Sequence, residues 1–219
     1  MSPLLFLFDY VSPYSYLAAT QMPPLAARHG RDVVPVPIVF GALLTTHGTR
    51  GPAEVPAKRA YLFRDILRIA RALGVPLQPP ATHPFNPLVA LRATAMVDAP
   101  EARWKLTDAL FRAAWTQSRR VDEGDVVRDV ATEVGLDGAS LVAAAASPEA
   151  KSRLRASTDD AIAAGVFGVP TVRADGELFW GVDSLPHLEA LLASGSTIAP
   201  ELVLRWQSVK PSVARKGGE

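Results

Sequence analysis

Apolar residues run unbroken from Leu4 to Phe8 and stop at Asp9. A short, wholly apolar run fits a strand buried on both faces, as in a parallel sheet. A helix follows, opened by Ser12-Pro13, since serine is a good N-cap and proline suits the first helical position. Pro23-Pro24 is expected to break or kink that helix, with one more turn over 25–28 before Gly30 stops it. Residues 33–40 are rich in Val and Ile and read as a second strand, and Pro35 and Pro37 confine it to a sheet edge. The opening is therefore β-α-β with a right-handed crossover.

From 56 to 164 the period changes to that of helices. Leu62, Ile66, Ile69 and Leu73 fall at i, i+4, i+7 and i+11, a stripe that faces a core. Arg64, Arg68 and Arg71 lie on another face and read as solvated. Further helices are expected near 87–97, 102–115, 124–134, 139–146 and 150–164, with Pro148 at a helix start. Strand signal returns at 171–173, Asp175-Gly176 reads as a hairpin turn, and 178–180 as the return strand. A helix over 185–192 closes the pattern, and the tail after Ser194 reads as fraying towards its end. A β-α-β unit and a β-β-α unit complete one sheet only if the helices between them are an insertion. The expected fold class is α/β, a thioredoxin-like mixed sheet from 1–55 and 165–219 carrying a helical insertion over 56–164, the whole acting as one unit.

Composition narrows the chemistry. The 219 residues are 48% hydrophobic, enough for a sizeable core, and the formal net charge of +1 makes no bulk case for nucleic acid or an anionic membrane. Cysteine is absent, which excludes disulfides, thiolate metal sites and a catalytic cysteine. If the protein does thiol chemistry, the sulfur arrives on a ligand. The N-terminal apolar run is too short for a signal peptide, and no stretch approaches the roughly 20 residues of a membrane span, so the expectation is a cytoplasmic protein. His29, His47, His83 and His187 show no metal spacing, and Gly165-x-x-Gly168 precedes a strand rather than the helix a phosphate loop needs.

The candidate chemistry lies where the first strand meets the first helix. Ligands of open α/β sheets collect at the carboxyl ends of strands, where helix N-termini point. Taken alone, Ser12 is either a helix cap only, or a cap whose hydroxyl proton is free to donate to an anion over the helix terminus. In the second case the hydrogen bond and the helix dipole together lower a ligand thiol's pKa by about one to two units.

The segment Asp9-Tyr-Val-Ser-Pro-Tyr-Ser-Tyr-Leu17 resembles the opening of 2-hydroxychromene-2-carboxylate isomerases and kappa-class glutathione transferases. These are DsbA-like thioredoxin-fold enzymes in which Ser-Pro-Tyr-Ser occupies the place of Cys-x-x-Cys. The resemblance continues through Gly51-Pro-Ala-Glu-Val-Pro-Ala-Lys-Arg-Ala-Tyr61, Gly165-Val-Phe-Gly-Val-Pro-Thr171 and Phe179-Trp-Gly-Val-Asp183. It implies glutathione as cofactor and Ser12 as the group that holds its thiolate. It further implies a cis Val169-Pro170 bond presenting Val169 to the peptide, Lys58 near the glycyl carboxylate, and Asp183 on the α-amino group. Asp183 is also a plausible N-cap of the last helix, and Gly168 is read as relaxing the backbone ahead of the proline. Ser184 stands where the family usually has arginine, and Thr45 and Thr49 where it often has lysine and asparagine. Thr49 and Ser184 are kept as cofactor-binding candidates, and Tyr14, Thr45 and His47 as substrate-binding ones, with Tyr10 as a further candidate for shaping the pocket. The implied activity is a glutathione-dependent cis-trans isomerisation of a small conjugated substrate. A kappa-like transferase and a non-catalytic glutathione- or peptide-binding protein are the alternatives. The family also implies a homodimer.

Overall fold

Strand β1 (Leu4–Phe8) is apolar throughout because it is covered on both faces. Leu4, Phe6 and Phe8 enter the larger core with helix α1 (Pro13–Arg28), while Leu7 enters a second core with Ile38, Leu43, Ala161, Val166 and Val169. In the computed structural model, which describes residues 2–195 and 198–212, β1 pairs parallel with β2 (Val33–Pro37). On its other side it pairs antiparallel with β3 (Thr171–Ala174), which forms a hairpin with β4 (Glu177–Trp180). The order β2-β1-β3-β4 joins the two ends of the chain in one mixed sheet, with the proline-bearing β2 at an edge as expected. The turn residues Asp175 and Gly176 both have positive φ, +48° and +88°, the conformation of a tight hairpin whose twist matches its strands.

Between the two halves of the sheet lie α2 (Phe40–Thr46), α3 (Pro56–Leu73), α4 (Leu88–Ala95), α5 (Pro100–Thr116), α6 (Gly124–Glu133), α7 (Gly138–Ala145) and α8 (Pro148–Ala163). Helices α4 and α5 pack on β2, and α5 also packs on α1, so the helical block closes over one end of the sheet. Leu62 and Ile66 of the α3 stripe are buried and Ile69 is half-buried. Leu73, in the last turn, is exposed, and Ala70 takes the buried place instead. Helix α9 (Leu185–Ser194) returns against β4, and α10 (Pro200–Gln207) follows.

Three further expectations change, and a fourth falls outside the described residues. Helix α1 runs through Pro23-Pro24 as one element. Met22, Leu25 and Ala26 are all buried, and their packing outweighs the backbone hydrogen bonds that the prolines forgo. The second strand ends at Pro37 rather than at residue 40. Ile38 N–H still bonds the Phe8 carbonyl, but Val39 N–H goes to the Thr158 hydroxyl and Phe40 N–H to the Asp9 carboxylate, so the chain leaves the ladder and opens α2, which the sequence pattern does not announce. The tail holds a helix, α10, before residues 213–219, so the fraying expected at the far end falls outside the described residues. Gly168 has no positive φ. A Cβ there would meet the Trp180 indole nitrogen at 2.5 Å, so close approach of Trp180, not backbone freedom, is what the position requires.

Candidate active site

Ser12 sits where a buried strand turns into a helix, and its own backbone makes that turn. Its N–H bonds the Asp9 carbonyl at 3.1 Å, its carbonyl accepts from Tyr16 N–H at 3.2 Å, and its φ and ψ of −92° and 114° are those of an N-cap. The Ser12 Oγ accepts the Ser15 amide at 3.1 Å and is 7% exposed. Among the described residues the hydroxyl donates to no protein group, so its proton is available above the helix terminus. Capping uses the oxygen as an acceptor and leaves the hydroxyl proton free to donate, as the chemistry of a hydroxyl allows.

The Val169-Pro170 bond is cis. Leu7 lies opposite Thr171 in the sheet, so the proline stands at the carboxyl end of β1, beside the turn that carries Ser12. Neither the N–H nor the C=O of Val169 has a backbone partner among the described residues. The turn over Val182–Ser184 packs against α1 and brings Asp183 within electrostatic reach of Tyr14. Asp183 is exposed and does not cap α9. Ser184 holds that N-cap position, and its hydroxyl donates to the Gly181 carbonyl at 2.8 Å, so its proton is already committed.

Tyr14, in the first turn of α1, faces α3. Its hydroxyl donates to Asp65 Oδ2 at 2.9 Å, and burial, then the Asp65 carboxylate, push the phenol well above its ordinary value. Tyr14 lines an open, mostly apolar cavity of about 370 Å³ with Pro52, Ala57, Lys58, Tyr61 and Leu62. Lys58 is exposed and, like Asp183, forms no ion pair among the described residues. Thr45, His47 and Thr49 are all exposed at or just beyond the end of α2. The Thr45 hydroxyl donates back to the Gly41 carbonyl, Thr49 N–H to the Leu44 carbonyl, and the His47 ring to the Val166 carbonyl at 3.2 Å. His47 thus ties α2 to the loop ahead of the cis proline. Tyr10 is wholly buried with its hydroxyl on Thr94, so it belongs to the core and Tyr14 alone of the two lines the cavity.

Three residues enter the site that are not among the candidates read from the sequence. Tyr61 is an exposed position of α3, and only the packing of α3 against α1 sets it on the cavity wall with Tyr14. Asp65 is one more charge on a polar face. Asp9 ends the apolar strand, and only the fold shows it 1% exposed, accepting Val11 N–H at 3.1 Å and Phe40 N–H at 2.9 Å. Burial pushes its carboxyl up to about 7, against the opposing pull of the Phe40 and Val11 amides. Among the described residues no cluster of histidine and acidic groups could hold a metal ion, and no helix is long and apolar enough to cross a membrane.

A family profile described as a DSBA-like thioredoxin domain matches residues 4–193. The 2-hydroxychromene-2-carboxylate isomerase of Sphingobium xenophagum is 33% identical over 191 residues, 85% of this chain and 96% of that one. Glutathione S-transferase kappa 2 of Caenorhabditis elegans is 29% identical over 214 residues, covering 86% of this chain and 90% of its own. A solved 2-hydroxychromene-2-carboxylate isomerase superposes with a TM-score of 0.81 at 26% identity, over 95% of this chain and 99% of the other. The profile match over residues 4–193 and these relatives place the chain in the DsbA-like thioredoxin family, among the relatives named 2-hydroxychromene-2-carboxylate isomerase and kappa glutathione transferase.

Proposed function

We propose that the protein is a glutathione-dependent cis-trans isomerase in which Ser12 holds the glutathione thiolate. The observation that carries this reading is the Ser12 hydroxyl, which caps α1 as an acceptor and keeps its own proton for an anion. The donor set fits the tripeptide. The unpaired Val169 backbone suits an extended peptide added as a strand, the Lys58 ammonium suits the glycyl carboxylate, and the exposed Asp183 carboxylate suits the α-amino group. When bound, glutathione supplies the nucleophile, a thiolate that adds reversibly to a carbon conjugated to a carbonyl, so that the former double bond can rotate before elimination. Ser12 donates one hydrogen bond and is not itself acylated or alkylated. The α1 dipole favours the negative charge there. Tyr14 supplies an apolar ring to the cavity wall, while its hydroxyl stays committed as a donor to Asp65. The substrate class that suits this wall is a small conjugated carbonyl or aromatic acid.

The test is the thiolate's ultraviolet absorbance, titrated with wild-type protein and Ser12→Ala. Wild-type protein should lower the thiol pKa of glutathione, and Ser12→Ala should raise it again by about one unit and slow turnover near neutral pH. Much of the lost rate should return as pH rises. A wild-type protein that leaves the thiol at its solution pKa would reduce Ser12 to a helix cap. A kappa-like transferase is the second reading, favoured by the kappa transferases among the relatives. The two are separated by following free glutathione, which a transferase consumes and an isomerase returns.

A further inference from the structure

The peptide unit that precedes Ser12 is held by a residue from the helical block, His83, in the loop between α3 and α4. Its Nε2 lies 3.1 Å from the Val11 carbonyl oxygen. A carbonyl only accepts, so Nε2 carries the hydrogen and Nδ1 carries the lone pair. That Nδ1 is buried and has no hydrogen-bond partner among the described residues. The ring stands edge-on to Trp115, with centroids 5.7 Å apart, and near Phe63 at 6.0 Å, a nest that an apolar side chain would fill without an orphaned nitrogen. Burial lowers its pKa, which keeps the ring neutral. An unmade buried hydrogen bond costs more than a made neutral one returns, so stability does not account for a histidine here. What the histidine supplies is one directed N–H.

That N–H completes a set of restraints on a single stretch of backbone. The Val11–Ser12 peptide has its oxygen on His83 and its nitrogen on the Asp9 carbonyl. The preceding peptide has its nitrogen on the Asp9 carboxylate and its oxygen on the Trp115 indole, at 2.9 Å. We propose that His83 is a positioning residue, which sets the direction of the Ser12 hydroxyl by fixing the peptide before it. The inference rests on Ser12 as the thiolate-holding group. The helical block, which lends Lys58 and Tyr61 to the cavity wall, thereby also holds the turn that carries Ser12.

The experiment compares His83→Gln, whose amide can donate in the same direction, with His83→Leu, which fills the nest and donates nothing. Each full-length variant is titrated with glutathione by thiolate absorbance and assayed for turnover. His83→Leu should raise the bound thiol pKa and lower kcat at neutral pH by about 2- to 10-fold, the scale of one neutral hydrogen bond, with little change in KM. His83→Gln should restore both. If His83→Leu does not accumulate as folded protein, His83→Phe keeps an aromatic ring between Trp115 and Phe63 and serves in its place. Equal thiol pKa values in wild-type, glutamine and apolar variants would overturn the positioning role and leave the function standing. A wild-type protein with no effect on the thiol would overturn the function itself. Loss in the glutamine and apolar variants alike would mark His83 as packing only.

Discussion

Asp9 shows at the scale of one residue how the turn before α1 is held at a cost in stability. Its carboxylate accepts two amides from two different elements, Val11 ahead of α1 and Phe40 at the start of α2. Burial nevertheless raises its pKa from 3.8 to about 7. The folded state therefore binds the proton more tightly than the unfolded chain. The stability this group contributes is fully present below its unfolded value near 4 and is lost as pH rises through about 7. At roughly 1.4 kcal/mol per unit, the loss is on the order of 4 kcal/mol. Denaturant unfolding at about pH 5 and about pH 8 should show wild-type protein less stable at the higher pH, and Asp9→Asn should flatten the difference. A wild-type stability that does not fall across this range would mean that Asp9 is ionised in the fold well below neutral pH. Ser184 invites a second test. Its proton is committed to Gly181, so it offers little to a carboxylate, and Ser184→Arg should tighten glutathione by about 1–2 kcal/mol in calorimetry if the γ-glutamyl end lies over the α9 terminus. Unchanged affinity would place that end elsewhere.

At the scale of elements, the site is a junction of helices brought together by side chains far apart in sequence. Tyr14 of α1 and Asp65 of α3 form a hydrogen bond across the cavity wall that carries Lys58 and Tyr61. Tyr14→Phe removes that bond, leaves the ring in the wall, and frees Asp65 to rehydrate. The expected cost is about 1 kcal/mol in unfolding free energy, with KM for glutathione rising more than kcat falls. A fall confined to kcat would instead place the Tyr14 hydroxyl on the reacting substrate. The elements themselves were legible to different degrees. β1, the β3–β4 hairpin and α3 to α9 follow from periodicity and turn chemistry, because local preference and burial agree there. Helix α2 was not legible. Its start is decided by Asp9 and Thr158, which take the amides of Phe40 and Val39 from elements distant in sequence. The continuity of α1 through two prolines has the same origin, since Met22, Leu25 and Ala26 have a core to enter.

For the whole molecule, the sheet unites both ends of the described chain, and β1 is paired on each side by strands that neither half supplies alone. A chain ending at residue 164 lacks β3 and β4 and leaves one edge of β1, with its fully apolar sequence, uncovered. It should fail to fold, with far-ultraviolet circular dichroism and limited proteolysis as the readout, while the full chain unfolds in a single transition. A folded, protease-resistant fragment would show that the helical block and the first two strands form an independent unit.

The strands and most of the helices, the cap at Ser12 and the absence of any thiol could be read from residue order alone, because burial periodicity, capping preference and composition are local properties. With the motif segments the sequence also pointed to the family, and through the family to Val169-Pro170. Which groups share the site emerged from the packing of the folded chain. That packing placed Tyr61 and Asp65 beside Tyr14, withdrew Tyr10 into the core, turned His47 to the Val166 carbonyl, and set Asp9 and His83 on either side of Val11. The reason is physical. A hydrogen-bond partner or a desolvated carboxyl depends on what packs against a residue, and those neighbours come from elsewhere in the chain.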